Sequence, residues 1–383
     1  MSCPHCQESA RFVGYRDKTI ISLVGPMELS RPYYHCAHCS SGTWPWDQIL
    51  RLSQERLTPG AQEVTSLHGI LNSFAEAAER TLYKSAGLRL SESTVERTTE
   101  TAGGHLGKQL HKGIVFGPKM TWQWNVDAQG KTCAYVAVDW TGIMMQGPNG
   151  AKADGRMVGV AMVFNPQPRA LDNEDEICRP CDGVRYLSGL YTLEELGQQM
   201  RWQAAHVGMD QAEQWIALTD AGNGIEHFIN VNFPLAISIV DFRHASEYVN
   251  DFAKMYRTGE EGKTLATSWC HTLKHEGGAA LLAIFKGLDR KKMKPTVREE
   301  HDKVLTYFGN HHKRMDYPTY LAKGWQIGSG AVESACKTVV NKRLNMGGMR
   351  WGEEGADAVA HLRALYRSDP DQWDAFWSFA MPA

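Results

Sequence analysis

The chain has 383 residues, of which 43% are hydrophobic and 22% charged, with 41 Lys and Arg against 43 Asp and Glu. The apolar fraction is that of an ordinary globular protein and excludes a mainly disordered chain. No apolar run approaches the about 20 residues that a membrane-spanning helix needs, and the first residues show no apolar signal core, so a cytoplasmic protein is expected. The net charge of −2, taken as an average, argues against a nucleic-acid partner.

The charge is unevenly distributed along the chain. Residues 251–350 hold 18 Lys and Arg and 10 Asp and Glu, a local balance of +8, which leaves −10 for the rest. The densest basic stretch lies between Lys286 and Arg298. Such a cluster is either a solvated helical face or a surface for an anionic partner.

Four of the nine cysteines have the spacing of a metal site. Cys3 and Cys6 form one CxxC pair, Cys36 and Cys39 form a second, and 29 residues separate the two pairs. Each pair can chelate from one tight turn, and two such turns complete the tetrahedral thiolate site that Zn²⁺ favours. The sequence therefore predicts a structural zinc, with free thiols or a redox pair as the alternatives.

The segment between the two pairs is expected to form a small β-hairpin. Residues 11–13 and 19–24 are predicted to be short strands, with turns at Pro26 and Pro32. This pattern predicts a zinc ribbon over residues 1–50, a unit too small to hold a core without its metal.

A third CxxC pair, Cys178 and Cys181, follows an acidic loop. It has no second pair to complete a tetrahedral site, so a loop cysteine pair without metal is the favoured interpretation.

Residues 51–112 have a helical pattern that begins after the Pro-Gly pair at 59–60. Gly87 interrupts the pattern, and a second helix is expected to follow with Ser91 or Ser93 as its N-cap, the latter in a capping box with Glu96. A helix, a glycine-containing turn and a capped helix together outline a helix-turn-helix.

The second of these helices is acidic for a DNA-reading element. Arg97 stands among Glu92, Glu96 and Glu100, whereas residues that read base edges are usually basic. Arg97 is therefore the candidate DNA contact, and a helix pair that only packs or dimerises is the alternative.

The pattern changes to strands from residue 133 onward. Apolar runs predict five strands and three helices in the order βββαβαβα. The strands are expected at 133–139, 157–164, 184–190, 214–220 and 236–241, and the helices at 192–206, 221–230 and 242–256. This order is typical of an RNase H-like domain, a mixed sheet with helices on both faces, here assigned to residues 113–244.

Three of the predicted strands end in an acid, namely Asp139, Asp220 and Asp241. A single acid after a strand is common because it caps the next helix. Acids at the ends of neighbouring strands can instead converge on one rim, where their mutual repulsion favours bound cations. Mg²⁺ prefers such oxygen ligands, and two ions can drive phosphoryl transfer.

A third acidic ligand is expected from a late helix that begins near residue 328 and contains Glu333. Lys337 follows one turn later, where it could meet a phosphate, and Lys342 and Arg343 lie near the helix end. The alternative is an exposed Glu333 that pairs with Lys337.

Several stretches together resemble a known family. They are DWTG at 139–142, IVDFRHASEYV at 239–249, and IGSGAVESACKTVVNKRLNMGGMRW at 327–351, with further matches at 57–60, 91–97 and 362–377. They are similar to the DDE transposases of bacterial insertion sequences, most of all to the ISKra-type group, which is related to Mutator-like transposases. One departure is Trp140, where the family motif has glycine; this side chain would stack on a DNA base or pack under the rim.

The resemblance implies a transposase that cuts DNA at transposon ends and joins a 3′-OH to target DNA. Asp139, Asp220 and Glu333 would be the catalytic triad that binds two Mg²⁺, and strand order favours Asp220 over Asp241 as its middle member. Asp241 and His244 match a DxxH element that supports the site or DNA in related transposases.

The remaining implied features concern domains and partners. Residues 245–325 would be a helical insertion, and residues 326–383 the C-terminal catalytic helix and tail. The basic insertion and the Glu333 helix would hold double-stranded DNA, the zinc ribbon and the helical segment would position transposon ends, and the protein would self-associate on DNA.

Two rival functions remain open. One is a catalytically silent, domesticated transposase that acts as a DNA-binding protein. The other is a zinc-containing regulatory or scaffold protein in which the strand-end acids are only helix caps.

Overall fold

The computed structural model describes residues 1–50, 52, 56–168, 177–222 and 224–379. This part of the chain is a mixed α/β structure that contains a three-stranded and a five-stranded sheet. None of the described helices combines the length and apolarity needed to cross a membrane.

A long antiparallel hairpin forms the N-terminal unit. Its strands are β1 (Ala10–Ser22) and β2 (Gly25–Cys36), and the short β3 (Gly42–Thr43) pairs with the end of β2. The predicted hairpin is present, but its two expected short strands belong to the single long strand β1. The expected proline turns are wrong, because the turn lies at residues 23–24 and both Pro26 and Pro32 lie inside β2. In the described sheet β2 pairs with β1 on one side only along this stretch, so the prolines can face an open edge.

Several contacts attach the hairpin to the following segment, among them an ion pair and a β-bridge. Asp47 of α1 (Pro45–Ile49) forms a buried ion pair with Arg31 of β2. Leu57 then forms a parallel bridge to Ile21 at the end of β1. The hairpin is therefore tied to the helices that follow it.

The helical segment contains α2 (Pro59–Leu71), α3 (Phe74–Glu76), a π-helical turn (Ala77–Thr81), α4 (Leu82–Ala86) and α5 (Glu92–His111). Gly87 ends α4 with a φ of 69°, a left-handed conformation that glycine adopts without a steric penalty. Ser91 caps α5 by accepting a hydrogen bond from the N–H of Thr94, so the capping box expected at Ser93 is wrong.

The five-stranded sheet has the order β6-β5-β4-β7-β8. The strands are β4 (Cys133–Ile143), β5 (Arg156–Pro166), β6 (Cys181–Gly189), β7 (Gln214–Thr219) and β8 (Ala236–Val240). β4 pairs with β5, and β5 with β6, in antiparallel fashion, whereas β4, β7 and β8 run parallel. All five predicted strands are present in a mixed sheet.

The two faces of this sheet contact different cores. Ala134, Val136 and Val138 of β4 contribute to a core closed by α6 (Leu193–His206) and α7 (Ile225–Asn232). The alternate side chains Cys133 and Tyr135 belong to the larger core on the opposite face, as the two-residue period of a strand requires. Asp139, four residues after Tyr135 on the same strand, therefore lies on that second face.

The remaining helices follow β8. They are α8 (Phe242–Tyr256), α9 (Gly259–Glu276), α10 (Gly278–Gly287), α11 (Pro295–His311), α12 (Tyr317–Ala322), α13 (Gly330–Ala335), α14 (Lys342–Leu344), α15 (Glu353–Arg367) and α16 (Pro370–Phe379). A π-helical stretch (Cys336–Asn341) joins α13 to α14. The helix that contains Glu333 thus continues to Leu344, as expected, but with a wider central turn.

The C-terminal helix α15 lies at the centre of the larger core. Ten of its fifteen residues are buried, and it packs against both α5 and β6. The core cluster to which it belongs runs from Leu57 to Trp377 and includes residues of the helical segment, the sheet and helices α8 to α12. These parts of the chain therefore share one interior.

Candidate functional site

The four N-terminal cysteines meet in one cluster. The Sγ atoms of Cys3 and Cys39 are 3.6 Å apart, as are those of Cys6 and Cys36, and all four lie within 4.8 Å of one another. A regular tetrahedron with Zn–S bonds of about 2.3 Å has S–S edges of about 3.8 Å. The cluster could therefore hold a zinc ion, as the sequence predicts.

The cluster replaces a hydrophobic core in this unit. The buried apolar residues around it are Ala10 and the cysteines Cys3 and Cys36 themselves. So small an interior contributes little stability, and a bound metal would supply the missing cross-link.

The third cysteine pair belongs to no group of metal ligands among the described residues. Burial raises the pKa of Cys178 and raises that of Cys181 to about 12, so both thiols are protonated at neutral pH. Cys178 lies against the start of α13, where a Cβ on Gly330 would be 2.8 Å from its Sγ.

The three strand-end acids lie side by side at one rim of the sheet. Val138 of β4 is in register with Thr219 of β7, and Thr219 with Val240 of β8. The following residues Asp139, Asp220 and Asp241 therefore occupy the same level. Since neighbouring strands lie about 5 Å apart, Asp139 and Asp220 are neighbours, and Asp241 is one strand farther away.

Asp139 is partly buried and held by two donors. Its Oδ1 accepts from its neighbour's backbone N–H at 2.7 Å, and its Oδ2 accepts from the thiol of Cys336 at 3.5 Å. Burial raises the pKa of Asp139, and the nearby charge of Asp220 adds to the effect. Trp140 points to the opposite face and packs against the core there, which corresponds to the second of its two expected roles.

Asp241 joins two elements of the site. It is fully buried at the N-cap of α8, where its carboxylate accepts from the N–H groups of Arg243 and His244. Its Oδ1 also accepts from the N–H of Ser329 at 2.8 Å. The carboxylate therefore fixes the loop that enters α13, the helix of Glu333.

Glu333 projects toward Asp241 and His244. The ligand atoms of these three residues lie within 4.8 Å of one another. Glu333 accepts from the hydroxyl of Ser329 at 3.1 Å, and its other oxygen is 3.5 Å from the Arg243 guanidinium. Its ion-pair partner is thus Arg243, and the alternative pairing with Lys337 is not the one observed.

The predicted triad is not assembled as a single tight group. Of the described residues, the two groups with three or more potential ligands within 4.8 Å are the four cysteines and the set of Asp241, His244 and Glu333. Cys336, three residues after Glu333, lies between Asp139 and Glu333. Its thiol donates to Asp139, and burial together with the charges of both nearby carboxylates raises its pKa.

Tyr307 of α11 also belongs to this rim. The hydroxyl of Tyr307 is buried without a hydrogen-bond partner among the described residues. Burial raises its pKa, as do the nearby Tyr248, Asp241 and Asp220. Its ring stacks on Tyr248 with centroids 3.9 Å apart. Sequence reasoning missed Tyr307, Arg243 and Cys336, because each reaches the rim through tertiary packing.

The predicted DNA-binding residues differ in exposure. Arg97, Lys337 and Lys342 are exposed. Arg343 is only 1% exposed: it donates to the carbonyl of Gly69, and its guanidinium lies between two aromatic rings. The prediction that Arg343 contacts DNA is therefore wrong, because its charge holds the helical segment against the Glu333 helix.

Comparison with known proteins adds no assignment to this geometry. No family model and no curated protein matches the chain.

Proposed function

We propose that the protein is a DDE transposase with an RNase H-like catalytic domain. The strand order, with three antiparallel strands followed by two strands parallel to the central one, is the order expected for that domain. The motifs at 139–142, 239–249 and 327–351 support the same family. The substrate would be double-stranded DNA, at transposon ends and at the target.

The observation that carries the proposal is the common rim of Asp139 and Asp220 beside the Glu333 helix. The two aspartates end neighbouring parallel strands at the same level. α13 and the π-helical stretch after it pack against β4. All three acids thus belong to one side of one sheet edge.

The donor set is suitable for Mg²⁺. Carboxylate oxygens are the ligands that this ion prefers, and a cation would offset the burial and repulsion that raise the pKa of Asp139. Two ions would activate a water or 3′-OH and stabilise the leaving oxygen of the phosphodiester. In such sites different acids serve ions about 3.5–4 Å apart, so Asp220 and Glu333 need not touch.

The chain's own residues would position the acids. Asp241 fixes the start of α13 through Ser329, and the thiol of Cys336 orients the Asp139 carboxylate. Arg243, now 3.5 Å from Glu333, is placed to release that carboxylate and pair with a phosphate when DNA arrives. His244 lies beside Asp241 and Glu333 and would support the DNA or the site.

Other surfaces would hold the DNA. Lys337 and Lys342 are exposed near the rim, and the basic stretch 286–298 belongs to the insertion. The cysteine cluster would bind zinc and stabilise the hairpin that helps to position transposon ends. Because two ends must be paired, the active form would be a homo-oligomer on DNA.

The proposal is tested with a supercoiled plasmid that carries the DNA segments flanking the gene in its own genome. With Mg²⁺, the zinc-loaded protein is expected to nick or cut at the element ends. Asp139→Asn, Asp220→Asn and Glu333→Gln should each reduce the rate by at least about 100-fold, since each removes a metal ligand. Asp251→Asn, an exposed acid on α8, is the matched control and should retain activity.

Iron-mediated cleavage of the polypeptide separates the two candidate middle acids. With added hydrogen peroxide and ascorbate, Fe²⁺ bound in place of Mg²⁺ should generate radicals that cut the chain near residues 139 and 220, and Asp220→Asn should abolish this pattern. Persistence of the pattern in Asp220→Asn, with its loss in a correctly folded Asp241→Asn, would assign the middle position to Asp241.

The ion pair between Arg243 and Glu333 favours a second candidate, a catalytically silent DNA-binding protein. A guanidinium there already neutralises Glu333 without a metal. In that case wild-type protein would bind the ends but show no more cleavage than Asp139→Asn.

A further inference from the structure

A groove outside the acidic rim collects three arginines from three separate segments. It has a volume of about 600 Å³ and lies where the hairpin meets the helical segment. Arg56 enters from the strand-like segment beside β1, Arg89 from the loop before α5, and Arg97 from the second turn of α5. No acidic side chain lines it among the described residues.

The backbone around this groove is well anchored. The N–H of Ile21 donates to the carbonyl of Arg56 at 2.6 Å, and the N–H of Thr58 donates to the carbonyl of Ile21 at 3.0 Å. The intervening Leu57 is only 1% exposed. Arg56 therefore projects from a fixed backbone segment.

The second arginine is also oriented in advance. The Arg89 guanidinium lies 3.7 Å from the ring centroid of Tyr83. Stacking on one face leaves the N–H edges of a guanidinium free to donate in its plane, which is the geometry that a phosphate needs. Among the described residues neither Arg56 nor Arg89 forms an ion pair with a carboxylate.

The third wall adds hydroxyl donors beside Arg97. Ser91 and Thr94 line the groove on the same helix. Glu92 and Glu96 lie nearby on the exposed surface of α5, and Glu96 lines a different groove, toward α15. Arg97 borders both grooves, whereas Arg56 and Arg89 line only the one without acids.

We propose that this arginine groove binds the phosphodiester backbone of double-stranded DNA. The identity of the nucleic acid rests on the proposed function; the phosphate chemistry rests on the three guanidinium groups and two hydroxyls. Contacts of this kind fix the position and orientation of the protein on a duplex and carry no sequence information. The groove thus positions DNA, and it requires the hairpin and the helical segment to be docked together.

The test is the salt dependence of duplex binding, measured by fluorescence anisotropy with full-length, zinc-loaded protein in buffer without Mg²⁺. Each lost phosphate contact reduces the slope of log K against log salt by about 0.9. Arg56→Ala, Arg89→Ala and Arg97→Ala should each show this change, and the triple variant a change of about 2.7, equally on unrelated sequences.

Two further variants control for folding and charge. Arg80→Ala removes an exposed arginine of the same helical segment that does not line the groove, and its slope should equal that of wild type. The triple Arg→Lys variant keeps the charges and should keep most of the slope. The triple Ala variant should retain the wild-type melting temperature.

The outcomes separate this proposal from the proposed function. A correctly folded triple Ala variant with an unchanged slope would overturn the proposal that the groove binds DNA, whatever the cleavage assay shows. Failure of the wild type to bind duplex DNA would overturn it too. If the triple Ala variant has a reduced slope but the wild type never cleaves DNA, the result would support DNA binding at the groove and contradict transposase activity.

Discussion

Two adjacent basic residues, Lys342 and Arg343, have opposite roles although they look alike in the sequence. Arg343 is buried against Phe74 and Trp351, and burial lowers the pKa of its guanidinium to about 10. Lys342 is exposed. Only the position of each side chain on the helix distinguishes the structural cation Arg343 from Lys342, which remains a proposed DNA contact.

We expect Arg343→Ala to lower the free energy of unfolding by about 2–4 kcal/mol, because it leaves a cavity and an unpaired carbonyl at Gly69. Lys342→Ala should change it by less than about 0.5 kcal/mol and weaken duplex DNA binding. Urea denaturation and anisotropy measure the two effects. A stable Arg343→Ala protein would contradict the structural role.

A second residue-scale prediction concerns Glu100 on α5. Burial raises its pKa, and the charges of Glu96 and Glu354 contribute in the same direction. An acid with a raised pKa in the folded state costs stability once the pH exceeds its unfolded value, and the cost is absent when both states are protonated.

Glu100→Gln should therefore raise the melting temperature at pH 7.5, with a smaller gain at pH 4. The exposed Glu79→Gln should show no comparable pH-dependent gain. Differential scanning calorimetry between pH 4 and pH 7.5 measures this gain in melting temperature. A gain that grows toward low pH would contradict the assigned burial effect.

At this scale the sequence predicts part of the candidate site. Asp139, Asp220 and Asp241 were predictable because an acid that ends an apolar run needs only strand order to be placed. Arg243, Cys336 and Tyr307 were not, because their approach to the rim depends on how α8, α11 and α13 pack.

Among the elements, α5 and α15 cross at unusually close range. A Cβ on Gly103 would lie 2.2 Å from the carbonyl oxygen of Ala358, whereas a Cβ on Gly104 would meet nothing within 4 Å. The close helix packing thus requires glycine at position 103 but not at position 104.

Gly103→Ala should destabilise the protein by about 1–3 kcal/mol, because the helices must move apart. Gly104→Ala should stabilise it by about 0.5–1 kcal/mol, since alanine is the better helix former. Equal effects of the two substitutions in urea denaturation would contradict this packing.

The hairpin is the element that we expect to depend on a metal. Removal of zinc by a chelator should accelerate hydrogen exchange in β1 and β2 by at least about 10-fold while β4 keeps its protection, because the hairpin has almost no apolar core. Cys36→Ser should reproduce this, and Cys270→Ser, outside the cluster, should not. Purified protein with no stoichiometric zinc would contradict the assignment.

Strands of the five-stranded sheet were predictable because both of their faces are buried and the chain there reads as apolar runs. The full length of β1 was not predictable: the sequence indicates only two short strands there, because most of its residues are exposed and alternate irregularly. The π-helical turns at 77–81 and 336–341 have no signal in propensity either, since they are set by tertiary contacts.

For the whole molecule, the shared core predicts that the helical segment and the sheet unfold together. Gly103→Ala lies in the segment 51–112, yet it should lower the protection of α5 and β4 amides by the same free energy. Hydrogen exchange with mass spectrometry measures both in one experiment. Loss of protection confined to residues 51–112 would show an independent domain.

The order in which the elements of the core occur along the chain has a consequence for biosynthesis. α15 covers α5 and β6, both of which leave the ribosome long before it, so their apolar faces stay open until α15 emerges. Glu333 likewise joins Asp139 and Asp220 only late in synthesis. On the proposed function, an incomplete nascent chain carries two of the three acids and cannot cut DNA, so translation itself delays the enzyme's activity until its fold can close.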